Sequence, residues 1–87
     1  MANFHADIHV TLKPLVNDPE GLVIRDALHS LGFSGVEGVR AGKYLQVELQ
    51  GSDAGEVETR VREMCEKLLA NPVIEEYSCQ VREKVAG

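Results

Sequence analysis

The first residues of this chain alternate strictly between apolar and polar side chains. Apolar residues occupy every second position from Phe4 to Leu12, and polar residues occupy the positions between them, from His5 to Lys13. Because successive side chains of a strand point to opposite faces, this pattern predicts a strand with one apolar and one polar face. Pro14 has no backbone N–H to donate, so we expect the strand to end there.

A first helix is predicted after Asp18. An aspartate there can accept hydrogen bonds from the free amides of the first turn, Pro19 suits the first helical position, and Glu20 suits the positive end of the helix dipole. Four apolar residues then recur at the spacing of one helical face: Ile24, Ala27, Leu28 and Leu31. Gly32 is the expected left-handed residue after the helix.

A second helix is predicted after Asp53, which forms a capping box with Glu56. Its apolar stripe consists of five residues: Val57, Val61, Met64, Cys65 and Leu68. Three acid–base pairs are spaced four residues apart with the acid first: Glu56–Arg60, Glu58–Arg62 and Glu63–Lys67. Asn71-Pro72 is expected to stop this helix.

Two further extended segments are predicted. Val36 and Val39 lead into the first, which continues with alternating apolar residues at Leu45, Val47 and Leu49. Within it, Ala41-Gly42 either kinks one long strand or turns a tight hairpin, and the sequence does not choose between the two. The last strand places four residues on one face: Val73, Tyr77, Cys79 and Val81.

The predicted fold is α+β, with the order β-α-β-α-β or, if Ala41-Gly42 is a hairpin turn, β-α-β-β-α-β. Two helices are expected to pack on one face of a small, largely antiparallel sheet. The other face is mixed, with Thr11, Tyr44 and Ile74 among polar residues, and is a candidate interface. A chain of 87 residues allows one domain, residues 1–87, with an ordered core of about residues 4–82. So short a chain has a thin core, which a second copy or another partner would help to cover.

Composition excludes several classes of protein. The net charge is −5 and the basic residues are not clustered, which disfavours a nucleic-acid partner. Apolar runs stop at three residues, too short to span a bilayer, and the first residues lack the pattern of a secretory signal. Two cysteines, Cys65 and Cys79, are too few for a disulfide scaffold and are predicted to be structural thiols, which indicates the cytoplasm.

One group of possible metal ligands stands out, the alternating residues His5, Asp7 and His9. Neighbours two apart on a strand can share an ion, but three in a row span about 13 Å, twice the spacing of about 6.6 Å. Metal–ligand bonds are only about 2 Å long, and the sequence does not indicate a fourth ligand. We therefore predict no metal site, and interpret these residues as a solvated or interface face.

The glycines after the first helix, Gly32, Gly35 and Gly38, superficially resemble a phosphate loop. Such a loop lies between a strand and a following helix, whereas these glycines follow a helix, so we interpret them as turn residues. His29 faces away from the apolar stripe, and the adjacent Ser30, the nucleophile that a catalytic histidine would need, points elsewhere on the helix. The sequence therefore indicates neither a catalytic nor a cofactor-binding constellation.

The segment from Arg40 to Lys43 places two cations around Gly42 in an otherwise acidic chain. A turn of this kind can present basic groups to a carboxylate, a phosphate or an acidic partner surface. An ordinary charged turn is an equally good interpretation.

Several segments, taken in order, resemble the PurS family, the small subunit of bacterial and archaeal phosphoribosylformylglycinamidine (FGAM) synthase. The resemblance runs from about residue 4 to residue 82. Its segments are Thr11-Leu12-Lys13, Asp18-Pro19-Glu20-Gly21, Ala27-Leu28-His29-Ser30-Leu31-Gly32, Val36, Val39-Arg40, Gly42-Lys43, and Cys65 to Glu75 with Tyr77. The turn Arg40-x-Gly42-Lys43 and the junction Asn71-Pro72-Val73-Ile74-Glu75 are its most specific parts.

The resemblance implies a non-catalytic subunit in purine biosynthesis. Such complexes convert formylglycinamide ribonucleotide to the amidine with ATP and glutamine. The chemistry belongs to a large synthetase, PurL, which uses ATP and Mg²⁺, and to a glutaminase, PurQ. The small subunit pairs with itself through its sheet as a dimer or a dimer of dimers, bridges the two enzymes and supports ammonia transfer. Carried over by position, Arg40, Gly42, Lys43 and His29 are candidate partner contacts.

Two other classes share the outline of this fold. A regulatory module of the ACT type would bind a free amino acid or another small effector, and it is the alternative to the PurS interpretation. An acylphosphatase-like enzyme needs a phosphate-cradling loop with an arginine after the first strand. The segment from Lys13 to Asn17 has neither a glycine nor an arginine, which disfavours that enzyme.

Overall fold

Three strands and two helices follow one another in the order β-α-β-α-β, with one π-helical turn after the second helix. The computed structural model describes residues 1–85. Its elements are β1 (Ala2–Leu12), α1 (Pro19–Ser30), β2 (Gly42–Gly51), α2 (Ala54–Met64), the π-helical turn (Cys65–Leu69) and β3 (Glu75–Glu83).

The three strands form one antiparallel sheet in the order β2-β1-β3. β1 pairs with β2 from Ala2 opposite Gly51 to Thr11 opposite Gly42. On its other side β1 pairs with β3, with Ile8 opposite Cys79. The predicted α+β class and the antiparallel sheet are confirmed.

The core lies between β1 and α2. Of the alternating apolar residues of β1, Phe4, Ala6, Ile8 and Val10 are buried, and Ile8 and Val10 are fully enclosed, whereas Leu12 is half-buried. Val57 and Val61 of α2 complete this core, together with Cys65 of the π-helical turn and Ala70 directly after it. The apolar residues of β2 and β3 on the same sheet face are only half-buried, so α2 alone does not cover this face.

Both helix starts agree with the sequence. The Asp18 side chain accepts a hydrogen bond from the Gly21 amide, and Asp53 accepts one from the Glu56 amide. The Glu56 carboxylate reaches back to the amide of Ser52 at 2.9 Å. Gly32 has a φ of 97°, the left-handed conformation that we predicted.

The end of the second helix was predicted wrongly. α2 gives way at Cys65 to a π-helical turn, closed by a hydrogen bond of 2.9 Å from the Ala70 amide to the Cys65 carbonyl. A π turn holds one residue more than an α turn, which rotates the side chains after it by about 100°. Leu68, predicted to be buried, is therefore 82% exposed, and Leu69 packs against the core instead.

The last strand begins later than predicted, at Glu75. Tyr77, Cys79 and Val81 lie on the α2-facing side of β3 as expected. Val73 does not, because the chain turns just before the strand, where the Ile74 amide donates to the Asn71 carbonyl at 3.1 Å. Val73 is accordingly 78% exposed.

Ala41-Gly42 is neither a hairpin turn nor a kink within a strand. β2 begins at Gly42, opposite Thr11 near the end of β1, and residues 36–41 form no strand. The Ala41 amide instead donates to the Asp18 carboxylate. Since β1 ends at Leu12, the segment before Gly42 has no strand beside it and uses side-chain contacts.

α1 does not lie on the sheet as predicted. Among residues 1–85, none from α1 belongs to the core or to the half-buried apolar residues around it. Ile24 is 38% exposed and Leu31 is 73% exposed. The radius of gyration is 16.9 Å, against about 12 Å for a compact chain of this length. The helix projects because its first turn is attached at the start of β2 and not to the face of the sheet.

Candidate functional site

Three of the four candidate partner contacts, Arg40, Gly42 and Lys43, lie at the start of β2, close to the start of α1. The Arg40 guanidinium donates hydrogen bonds to the carbonyl oxygens of Lys13 at 2.8 Å, Val16 at 3.0 Å and Leu12 at 3.4 Å. Arginine presents five donors in a rigid planar fork, which suits several carbonyls at once. The residue therefore holds the loop after β1 against the segment before β2.

The buried Asp18 side chain stabilises the same junction between α1 and the segment before β2. The residue is only 5% exposed, and its carboxylate accepts from the Gly21 amide at 3.0 Å and from the Ala41 amide at 2.8 Å. These two backbone hydrogen bonds, in that order, lower the pKa of Asp18, and the charge of Arg40 lowers it further. We call Asp18, Gly21, Arg40 and Ala41 the α1 clamp.

Gly21 shows how closely the clamp is packed. It is the buried residue of α1, and a Cβ added there would collide with the carbonyl oxygen of Val39. Gly42 is similarly confined, because a Cβ there would lie 2.6 Å from the Val10 carbonyl oxygen. Both glycines of the sequence motif therefore allow a close approach between backbones.

The other two candidates, His29 and Lys43, are both exposed. His29 Nε2 lies 2.7 Å from the carbonyl oxygen of Val36 and so holds the turn after α1. The Lys43 ammonium has no hydrogen bond and no ion pair with any residue in the described range 1–85. Of the four candidates, Lys43 therefore has the polar group that is free for a partner. Partner contact by any of the four stays a prediction.

The polar face of the sheet carries a second cluster, centred on Asp7, that the sequence did not predict. The Tyr44 hydroxyl donates to the Asp7 carboxylate at 2.5 Å, and His5 Nε2 lies 3.0 Å from the same oxygen. The ring of Tyr44 stacks on His9, with centroids 4.9 Å apart. The register that sets His9 opposite Tyr44 could have indicated this cluster, had the start of β2 been known.

Charge is balanced within this face. The hydrogen bond from Tyr44, followed by that with His5, lowers the pKa of Asp7, and the contact with Asp7 raises the pKa of Tyr44. Glu48 pairs with Lys84 at 3.0 Å, which lowers the pKa of Glu48. Asp7 is thus held as a carboxylate by its neighbours, as a structural polar network requires.

The histidine and cysteine side chains of the sheet and of the π-helical turn, which could in principle support catalysis or metal binding, have structural roles. His5 and Asp7 bond to each other while His9 stacks on Tyr44, and no cluster within residues 1–85 could hold a metal ion. Burial raises the pKa of the Cys65 thiol, which makes it a poor nucleophile. Both cysteines are free thiols. None of the helices in this part of the chain is long and apolar enough to cross a membrane.

An open antiparallel sheet with one face partly covered by α2, a projecting helix and a polar cluster satisfied by its own side chains define a small α+β interaction module. Comparison with known proteins gives the family. The family model described as PurS, phosphoribosylformylglycinamidine (FGAM) synthase, matches residues 5–83. The chain belongs to the PurS family of FGAM synthase subunits, as its resemblance to that family indicated.

Curated relatives have the same description. The phosphoribosylformylglycinamidine synthase subunit PurS of Bacillus subtilis is 45% identical over 83 residues, which is 95% of this chain and 98% of that protein. The PurS subunit of Archaeoglobus fulgidus is 45% identical over 78 residues, covering 90% of this chain and 98% of that protein.

Solved structures show the same fold. The B. subtilis PurS structure matches with a TM-score of 0.84 at 44% identity, over 92% of this chain and 99% of that one. A chain in the structure of PurLQS from Thermotoga maritima matches with a TM-score of 0.82 at 34% identity, over 97% and 100% of the two chains.

Proposed function

We propose that this chain is the non-catalytic small subunit of an FGAM synthase complex, in which it pairs with itself and bridges a PurL-type synthetase and a PurQ-type glutaminase. The observation that carries the proposal is the match over nearly the whole chain to a chain of the PurLQS structure from T. maritima. The conversion of formylglycinamide ribonucleotide to the amidine is the step of purine biosynthesis to which the subunit contributes.

The side chains of this subunit suit a positioning role. A glutaminase needs an activated thiolate, and the buried Cys65 thiol has a raised pKa. A synthetase needs groups that hold ATP and its Mg²⁺, and we assign these to the partner enzyme. This chain then holds no cofactor of its own and supports the transfer of ammonia by keeping two active sites together. The cytoplasm, where the substrates are made and thiols stay reduced, is its proposed location.

The free ammonium of Lys43 supports this positioning role. It lies beside the α1 clamp at the start of an edge strand, where a partner can reach it. An edge strand also leaves backbone groups unpaired, which another chain can use. The proposed contact region for the enzymes is therefore the start of β2.

Sedimentation of the three proteins tests the proposal. The matching synthetase and glutaminase from the source of this chain are mixed with and without it, in the presence of glutamine, ATP and Mg²⁺. We expect one species that contains all three proteins, and no stable synthetase–glutaminase species without this chain. If the two enzymes associate equally well in its absence, or if this chain sediments alone, the bridging role is wrong. Calorimetry with free amino acids then tests the ACT-type alternative.

A further inference from the structure

We propose that two proline turns at one end of the sheet form an apolar docking surface, and that a partner enzyme of the complex receives it in an apolar pocket with carboxylates at its rim. The proposal deepens the bridging role of the proposed function and rests on it. We call the two turns, residues 13–16 and residues 71–74, the twin turns.

The first of the twin turns follows β1. Pro14 occupies its second position, and the Val16 amide closes it with a hydrogen bond of 2.9 Å to the Lys13 carbonyl oxygen. Proline fixes φ near the value that this position needs, so the next residue, Leu15, is held at the tip of the turn. Leu15 is 100% exposed.

The second of the twin turns precedes β3 and has the same construction. Pro72 occupies its second position, and the Ile74 amide donates to the Asn71 carbonyl oxygen at 3.1 Å. Val73 is at the tip and is 78% exposed. Its amide donates to the Asn71 side chain at 3.1 Å, so the tip is fixed by two hydrogen bonds as well as by the proline.

The twin turns are also fixed to each other. The Lys13 amide donates to the Ile74 carbonyl oxygen at 2.9 Å, which continues the pairing of β1 with β3 by one residue. Arg40 holds the first turn from its other side, through the carbonyl oxygens of Lys13 and Val16. Both tips therefore belong to one rigid unit.

Apolar tips held in this way are typical of a docking surface. Neither Leu15 nor Val73 contributes to the core within residues 1–85. Single exposed apolar residues are common on proteins, but neighbouring preorganised turns can enter a partner's pocket with little loss of conformational freedom. The π-helical turn adds a third apolar residue just before the second turn, because it leaves Leu68 82% exposed.

Charged groups at this end of the sheet indicate the chemistry of the partner. The ammonium groups of Lys13 and Lys43 have no hydrogen bond and no ion pair with any residue from 1 to 85. Three carboxylates line the cavity beside Lys43: Asp18, Glu20 and Glu75. Backbone amides or the positive end of the α1 dipole already stabilise each of them. The two ammonium groups are therefore left for carboxylates of the partner.

The position of the twin turns favours an enzyme over a second copy of this chain. The self-pairing of the proposed function runs through the sheet, whereas the twin turns lie beyond the ends of β1 and β3. Through Lys43 they are continuous with the start of β2, which is the proposed contact region for the enzymes.

Sedimentation velocity with the matching synthetase and glutaminase, in the presence of glutamine, ATP and Mg²⁺, tests the proposal. Leu15→Asp and Val73→Asp each place a carboxylate at one tip. Each should weaken binding of the full chain at least about tenfold, because the charge would enter an apolar pocket. Val85→Asp is the matched control, since Val85 is 91% exposed and lies beyond the opposite end of β3; it should bind within about twofold of wild type. Mixing the chain with each enzyme alone identifies the one that has the pocket.

The rim of the pocket is tested with Lys13→Ala. Loss of this ammonium should weaken binding about two- to fivefold, the range for an exposed ion pair, and should make binding less sensitive to salt. Wild-type affinity and salt dependence in this variant would contradict the carboxylates at the rim.

The outcomes separate this inference from the proposed function. A wild-type chain that binds neither enzyme contradicts the bridging role itself. A wild-type complex that Leu15→Asp or Val73→Asp leaves as strong as before keeps the bridging role and overturns the docking surface. The self-association of both variants, measured without the enzymes, should equal that of wild type. Weakened self-association would show that the twin turns contact a second copy, contrary to the proposal.

Discussion

The carboxylate of Asp18 accepts a hydrogen bond of 2.8 Å from the backbone amide of Ala41, 23 residues later in the chain. The segment between these two residues, which includes the whole of α1, therefore forms a loop that this hydrogen bond closes. Because Asp18 also caps α1 through the Gly21 amide, one side chain fixes both the start of the helix and its place beside β2.

Stability in acid should depend on Asp18. Its pKa is lowered in the folded chain, so its contribution to stability is present above the ordinary aspartate pKa of about 3.9 and is lost as pH falls through the lowered value. Asp18→Asn should therefore lower the urea midpoint at pH 7. The difference from wild type should shrink as the pH falls below about 4, where Asp18 of the unfolded chain takes up a proton, and should be smallest below the lowered pKa of folded Asp18.

The matched control for Asp18 is Asp26→Asn, on the exposed side of α1, where within residues 1–85 the carboxylate bonds to its neighbour Arg25. This variant should leave the urea midpoint nearly unchanged both at pH 7 and below about pH 4. An Asp18→Asn protein as stable as wild type at pH 7 would show that the clamp does not depend on this carboxylate.

Gly21→Ala should destabilise the chain although alanine is the better helix former. The added Cβ would collide with the Val39 carbonyl oxygen, and such overpacking costs about 1–3 kcal/mol of the free energy of unfolding. Gly35→Ala is the control, because no atom lies within 4 Å of the added Cβ there; it should change stability by less than about 0.5 kcal/mol. Urea unfolding measures both, and equal effects would contradict the close packing at Gly21.

The π-helical turn makes opposite predictions for two adjacent leucines. Leu69→Ala should cost about 1–2 kcal/mol, somewhat less than for a fully buried leucine, because Leu69 is half-buried against the core. Leu68→Ala should cost less than about 0.5 kcal/mol, because Leu68 is 82% exposed. If the Leu68 variant were the less stable of the two, α2 would continue as a regular helix through this segment.

Lys43→Ala should weaken assembly with the synthetase and glutaminase by about two- to fivefold, the range for an exposed ion pair, and leave the thermal midpoint of the isolated chain unchanged. Lys67→Ala in the π-helical turn, where Lys67 pairs with Glu63 of α2 at 3.7 Å, is the control and should assemble normally. Arg40→Ala should weaken assembly and also lower the midpoint, because three carbonyl oxygens lose their donor. Normal assembly of the Lys43 variant would remove this residue from the contact region.

Local signals in the sequence predicted much of the fold. The alternation in β1 placed Ile8 and Val10 in the core, and the N-caps Asp18 and Asp53 were predicted because the free amides of a helix start need an acceptor close in sequence. The acid–base pairs of the second helix are all present, such as Glu58 and Arg62 at 3.0 Å. These features depend on residues a few positions apart.

The features that the sequence analysis missed depend on contacts between residues far apart in the chain or have no local signal. No local pattern distinguishes a π turn from an α turn at Cys65, and Arg40 was interpreted as a surface cation because its three acceptors lie 24–28 residues away. The apolar stripe of α1 predicted that the helix packs on the sheet, but periodicity does not reveal that Asp18 attaches the helix at the start of β2 instead.

The central claim is that this chain couples a glutaminase to a synthetase, and the ratio of two rates tests it most directly. Amidine formation is measured with the matching enzymes, driven by glutamine or by ammonium chloride, with and without this chain. We predict that adding the chain raises the glutamine-driven rate at least tenfold and changes the ammonia-driven rate by less than about twofold. Equal glutamine-driven rates with and without the chain, while ammonia still supports synthesis, would contradict the claim.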